Sequence, residues 1–289
     1  MGAWHLVRIL GVLLLFIHSG FLAQTTTPSK RLADQIRAHA KGLALWWVGN
    51  DGWLIKSDGF LIGTDLDLET SEKVEAPPIL AEELASELDV AFVTHHHGDH
   101  FNTPTLRILA QKDRCTFVLP QTCLRAALDL DIARERIVVP QPGHPFEVKG
   151  IRVEPTHAIH GNQEFTVLTR EADFIDSITH NCGYVLTVGG KRFFQPGDSV
   201  LTEEHLNLKN IDVLFVSPTV HNMHIDRSSI LINRLEPACI FPQHFETYRE
   251  TDGNRFWTRG YPDELKERLS LELQKRYHKL KQGEMFEIP

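Results

Sequence analysis

The run Thr94-His95-His96-His97-Gly98-Asp99-His100 constrains this chain more than any other stretch. It places four metal-capable side chains, His95, His97, Asp99 and His100, in one short loop. The loop follows the apolar run Val90 to Thr94, which predicts a buried strand, and precedes Thr103-Pro104. That pair predicts a helix start, with Thr103 as the cap and the proline in the first turn. A strand-to-helix loop is held by rigid elements at both ends, as metal geometry requires. In an extended loop, residues two apart point the same way, so His95 and His97 are expected to grip one ion. Asp99 and His100 follow the turn at Gly98 and are expected to face a second. The bland alternative is a solvated, histidine-rich loop. His96 is expected to point away from the metals.

Histidine is the compositional outlier, at 16 of 289 residues. With 42% hydrophobic and 24% charged residues, the chain can bury a sizeable core without disulfide staples. The net charge of −8, without a long basic run, argues against nucleic acid as a partner. A small-molecule substrate is the expected partner, and no oligomeric state follows from the residues. Cys115, Cys123, Cys182 and Cys239 show no metal spacing and receive no function.

Residues 1–23 read as a signal peptide, with Arg8 ahead of the apolar run Ile9 to Ile17 and a Leu22-Ala23-Gln24 junction. That run is far short of the ~20 apolar residues of a spanning helix. The expectation is export to the periplasm or beyond, with cleavage near Ala23. The alternative is an uncleaved anchor, the one case in which a membrane is a partner, with the fold again outside the cytoplasm. Residues 24–41 are expected to form a helical lead-in, and residues 42–289 one α/β domain.

Turn chemistry at Gly49-Asn50-Asp51-Gly52 and Ser57-Asp58-Gly59 separates three strand-like runs, which predicts a β-meander. From residue 78 helix and strand alternate: a helix over 78–88, then strands near 115–119, 137–139 and 151–154. Residues 161–180 are polar and long for a connection, which marks a functional loop. Strands near 184–188, 192–195, 213–216 and 239–241 follow, with a helix over 227–235 and an amphipathic final helix over 262–281.

The loop at 95–100 fits the H-x-H-x-D-H signature, and the chain resembles the metallo-β-lactamase superfamily. The run from Trp47 to Asp65 is similar to the opening of the branch that holds the ascorbate-6-phosphate lactonases. The resemblance spans residues 43 to 286. It implies an αββα four-layer sandwich of mixed sheets, with helices outside and the site at one edge of the paired sheets. It also implies the remaining ligands: His160 with the first ion, Asp198 bridging the two, and His244 with Asp99 and His100 on the second. Asp65 falls where the superfamily keeps an aspartate that supports the metal loop from behind. His157 follows the same strand as His160. Gly161 lets the chain turn directly after His160, so His160 is expected as ligand and His157 as a supporting or packing residue. His180, His221 and His224 are candidate substrate-side residues.

Three neutral imidazoles suit Zn2+, and the carboxylate-richer second site admits Mn2+ or Fe. The expected function is hydrolysis of an ester-like bond in a small molecule, a lactone, phosphodiester or related group, by a metal-bridging hydroxide. Asp198 and Asp99 would carry catalysis with the metals. The alternative is an iron-dependent redox enzyme of the same fold, performing oxygen or sulfur chemistry. A non-catalytic metal-binding module would be expected to have lost ligands, and none is missing.

Overall fold

Strand β1 (Leu43–Gly49) shows why the fold is layered. Leu45 and Trp47 face one side and Trp46 the other, and all three are buried, so both faces of the sheet must be covered. The computed structural model describes Met1 and residues 31–161 and 181–289.

Strands β2 (Gly52–Ser57) and β3 (Phe60–Thr64) complete an antiparallel meander with β1. Strands β4 (Val90–Phe92), β5 (Thr116–Val118) and β6 (Ile137–Val138) then add in parallel. Their crossovers carry helices α2 (Ala81–Leu84), α3 (Thr103–Ala110) and α4 (Gln121–Asp129). The first sheet has the order β13-β1-β2-β3-β4-β5-β6, where β13 is Met285–Glu287. The second has the order β12-β11-β10-β9-β8-β7. In it, β7 (Phe146–Val148), β8 (Ile151–His157), β9 (Cys182–Val188) and β10 (Lys191–Gln195) run antiparallel. Strands β11 (Val213–Val216) and β12 (Cys239–Pro242) join β10 in parallel.

Three apolar layers result. The outer layer of the first sheet joins Trp46, Leu54 and Phe117 to Leu106, Leu109 and helix α1 (Leu32–Ala38) through Leu32 and Ile36. The lead-in helix therefore packs as part of the domain. Between the sheets lie Trp47, Trp53, Phe92, Tyr184, Phe193, Phe215 and Phe241. The outer layer of the second sheet joins Phe194, Leu214 and Ile240 to Leu231 and Ile232 of helix α6 (His224–Leu235). Helices on both outer faces of two mixed sheets make the αββα sandwich. Each buried large side chain contributes ~1.5–3 kcal/mol relative to exposure, so the middle layer is a major source of stability.

Several elements differ from the sequence-based expectation. Helix α3 is capped by Asn102 and not by Thr103, because Asn102 Oδ1 accepts from Thr105 N at 3.0 Å and Thr105 Oγ1 at 2.6 Å. The helix expected over 78–88 is regular only in α2. The single final helix is two, α8 (Pro262–Glu267) and α9 (Leu271–Lys275), because Ser270 accepts from Leu273 N and starts a new helix. Short helices α5 (Glu203–Asn207) and α7 (Arg255–Thr258), with α4, β7 and β13, had no sequence-based counterpart. The four cysteines are buried, and none is in a disulfide. The expected loop over 161–180 and the leader fall outside the described residues, apart from Met1 and Gly161. Among the described residues no helix is long and apolar enough to cross a membrane.

Candidate metal centre

The loop after β4 is curled, not extended. His100 N and Phe101 N both donate to His97 O, at 3.0 and 2.7 Å. This turn folds His95, His97 and His100 onto one another, with ring centroids 4.7 Å apart for His95–His97 and 4.0 Å for His95–His100. His96 is exposed. Asp65, at the end of β3, holds the loop from beneath. It accepts from Thr94 N and Thr94 Oγ1, both at 2.8 Å, and its Oδ2 lies 3.0 Å from His100 Nδ1. Pairing at Nδ1 directs His100 Nε2 toward Asp99 Oδ2, 3.5 Å away, and Asp198 Oδ2, 3.7 Å away.

The second sheet supplies the facing side. His160 follows β8 and reaches His95 and His97, at ring-centroid distances of 5.0 and 4.5 Å. Gly161 makes this possible: a Cβ there would sit 1.7 Å from the carbonyl oxygen of His221. Asp198 stands in the turn after β10. Its Oδ2 is 3.5 Å from His160 Nε2 and 3.2 Å from His244 Nε2. Gly197 in that turn has φ +59, and a Cβ there would clash with Thr94. His244 follows β12 and lies 3.7 Å from Asp99 Oδ2.

The donor atoms of His95, His97 and His160 all lie within 4.8 Å of one another, and so do those of Asp99, His100 and His244. His95, His100 and Asp198 form a third such group between them. The structure thus brings together all seven residues expected to hold metal. Of the remaining expected residues, Asp65 touches His100, whereas His157 does not reach the cluster. His157 is half-exposed and pairs with Glu204 at 2.9 Å, because β8 runs on to it and points its ring outward. His221 is only 2% exposed, and its Nε2 donates to Asp198 Oδ2 over 2.7 Å. His224 opens α6 and packs edge-on to Tyr261 at 5.6 Å. His180 lies outside the described residues.

Several site residues carried no sequence signal. Asn222 Nδ2 donates to Asp198 Oδ1 at 2.8 Å, and Asn50 Nδ2 to Asp99 Oδ2 at 3.1 Å. Asp51 is fully buried near His100 and Asp65, and burial pushes its carboxyl up to about 8. Asn50 and Asp51 read as turn residues because their letters are those of a solvated turn; only burial distinguishes them.

The electrostatics suit a cation. Burial and the neighbouring imidazoles hold His95 well below its usual pKa, leaving it a neutral donor. Burial alone would lower His100 and His244. The carboxylates of Asp99, Asp198 and Asp65 outweigh it for His100, and those of Asp198, Asp51 and Asp99 push His244 up to about 9. Burial opposes the charge on Asp198, yet the surrounding imidazoles hold its carboxyl well below the usual range. His100 Nε2 and His244 Nε2 are buried without a well-formed hydrogen bond, each beside carboxylate oxygens. Buried donors of this kind are costly unless paired or bound to metal. The cluster draws positive charge inward, as protons or as divalent cations, and its imidazole and carboxylate donors fit the latter.

A two-sheet sandwich with a histidine–aspartate cluster at its edge defines a metallo-hydrolase type of architecture. The model of the Beta-lactamase superfamily domain matches residues 60–245, more than half of the chain, and the chain belongs to that family, the metallo-β-lactamase superfamily. Among curated proteins it is similar to the probable L-ascorbate-6-phosphate lactonase UlaG of Salmonella heidelberg, 24% identical over 209 residues. The match covers 59% of this chain and 58% of that protein. Its counterpart from Salmonella newport is also 24% identical over 209 residues. The expected likeness to the lactonase branch is therefore present. Among solved structures, Igni18, a metallo hydrolase from Ignicoccus hospitalis, aligns with a TM-score of 0.64 at 18% identity, covering 86% of this chain and 99% of that one. An isothiocyanate hydrolase from Delia radicum gut bacteria aligns at 0.65 and 18%, covering 84% and 98%. CmlA, a diiron β-hydroxylase from Streptomyces venezuelae, aligns at 0.62 and 13%, covering 86% and 54%. These likenesses establish the fold.

Proposed function

We propose that this chain is a dinuclear metal-dependent hydrolase acting on an ester-like bond of a small molecule, a lactone, phosphodiester or related group. The convergence of His95, His97 and His160 beside Asp99, His100 and His244, with Asp198 between them, carries this reading. Zn2+ suits the all-imidazole group, and the carboxylate-containing group also suits Mn2+ or Fe. When bound, such cations supply Lewis acidity and lower the pKa of coordinated water.

The chain's own residues set the rest. Asp65 fixes the ring of His100 through Nδ1, which leaves Nε2 to serve as a donor. Asn50 orients Asp99, and His221 with Asn222 orients Asp198. A ligand held on both sides cannot swing away as charge develops on the substrate, which keeps the site preorganised. The complete ligand set favours this reading over a mononuclear redox enzyme, and the lactonase relatives favour it over a diiron one.

The test is elemental analysis of the purified protein with a screen of lactones, chromogenic phosphodiesters, thioesters, β-lactams and isothiocyanates. About two zinc or manganese ions per chain, with turnover of one of these esters, are expected. Bound iron with no hydrolysis would move the protein to the redox class. Export is part of the same proposal, on the strength of the apolar run after Arg8. Mass spectrometry of the mature protein is expected to find it starting near Gln24; retained Met1 on membrane-bound protein would indicate an anchor.

A further inference from the structure

The family match ends at residue 245, yet the next segment turns back over the metal centre. Helix α7 is bonded to the centre directly: Phe256 O accepts from His221 N at 3.4 Å and lies 3.3 Å from His221 Nδ1. The Phe256 ring stands edge-to-face on His221, with centroids 5.9 Å apart. The neighbouring Trp257 ring stands edge-to-face on His244, 6.3 Å away, and on Tyr248, 5.3 Å away.

These two rings do not belong to the core. Neither occurs in any of the three apolar layers, and both are only partly buried. The other described tryptophans, Trp46, Trp47 and Trp53, are buried to 2% exposure or less. Phe256 and Trp257 thus place partly exposed aromatic surface beside the histidine–aspartate cluster, open to contact with a flat apolar group. Two arginines of the same segment are engaged elsewhere. Arg255 pairs with Glu250 at 2.7 Å and Asp252 at 3.1 Å. Arg259 lies 3.9 Å from Glu250 and stacks on Tyr261, in a neighbouring cleft with Glu246, Asp263 and Glu264. Among the described residues the ion pairs of Asp99 and Asp198 are all with histidines.

We infer that Phe256 and Trp257 form an aromatic wall that favours substrates with a flat apolar group beside the scissile bond. The inference rests on the hydrolase reading above and narrows its substrate class. A ring laid on the wall gains stacking of ~0.5–1.5 kcal/mol beyond its buried area.

The test compares two lactones of the same ring size, 3,4-dihydrocoumarin and δ-valerolactone, in the wild type and in Trp257→Ala and Trp257→Phe. Intrinsic reactivity differences cancel in the variant-to-wild-type ratio. Trp257→Ala is expected to reduce kcat/KM for dihydrocoumarin about fivefold more than for δ-valerolactone, chiefly through KM, with metal content retained. Trp257→Phe keeps an aromatic face and is expected to recover most of the selectivity. Equal losses for both lactones, or none, would overturn the wall. If the wild type turns over neither lactone, the hydrolase reading fails separately, and the wall is read by binding alone. Calorimetric titration with 3,4-dihydrocoumarin is then expected to show tighter binding to the wild type and Trp257→Phe than to Trp257→Ala; equal binding by all three, or none, overturns the inference.

Discussion

The two sides of the metal centre are built by different means. The first side is one loop, His95 to His100, pinned from beneath by a single carboxylate, Asp65. The second gathers His160, Asp198, His221 and His244 from four separate segments of the other sheet. A buried amide network aligns two of these. Gln195 precedes the Asp198 turn, Gln243 precedes His244, and their side chains pair reciprocally at 2.7 and 3.0 Å. Trp53 Nε1 donates to Gln243 at 2.8 Å, Gly197 N donates to Gln195 at 3.1 Å, and Gln243 donates to Ser217 at 3.0 Å. A contiguous side is set by local bonds; a dispersed side depends on the whole sandwich staying in register.

That contrast predicts graded effects. Asp198→Ala, which removes the carboxylate shared by both sides, is expected to abolish turnover and reduce bound metal below two ions, read by elemental analysis. Near-normal activity would take Asp198 out of the mechanism. Asp65→Asn is expected to weaken metal affinity by about 10–100-fold while leaving Asp198 and His244 in place. A chelator competition titration measures it, and a loss as complete as that of Asp198→Ala would make Asp65 a direct ligand. Gln243→Leu strands the Trp53 N–H in the core, at a cost of about 1–3 kcal/mol, while the Gln195 amide keeps Asp51, Thr64 and Gly197 as partners. Its signature is a lower Tm in apo and metal-loaded protein alike, whereas Asp65→Asn should act mainly on the loaded form. His157→Ala removes only a half-exposed pair with Glu204 and is expected to change stability by about 1 kcal/mol or less, with both ions retained. Metal loss in His157→Ala with retention in His160→Ala would reverse the placement of these two histidines.

The difference between the sides also explains what could be read in advance. The four candidates on the first loop are recognisable because spacing along a chain limits where side chains can meet. The second side was approached through resemblance, one residue per motif, and its supporting cast was not seen. Asn50 and Asp51 carry the letters of an exposed turn but are buried against Asp99 and His100. His221, expected on the substrate side, bonds Asp198. Phe256 and Trp257 sit in a polar stretch with no periodicity to mark them.

By itself the sequence determined one α/β domain and the strand-to-helix metal loop, and the four-layer sandwich came with the resemblance. Continuous apolar runs such as Leu43–Gly49 demand two covered faces, and neighbouring ligands need no distant partner to be recognised. Only the tertiary structure decided which polar residues are buried and that helix α7 lies against the centre. Those choices depend on approaches between segments far apart in the chain, such as Gly161 on the His221 carbonyl and Gln195 on Gln243. Their free energy comes from contacts that exist only once both sheets are packed, and no local pattern of residues encodes them.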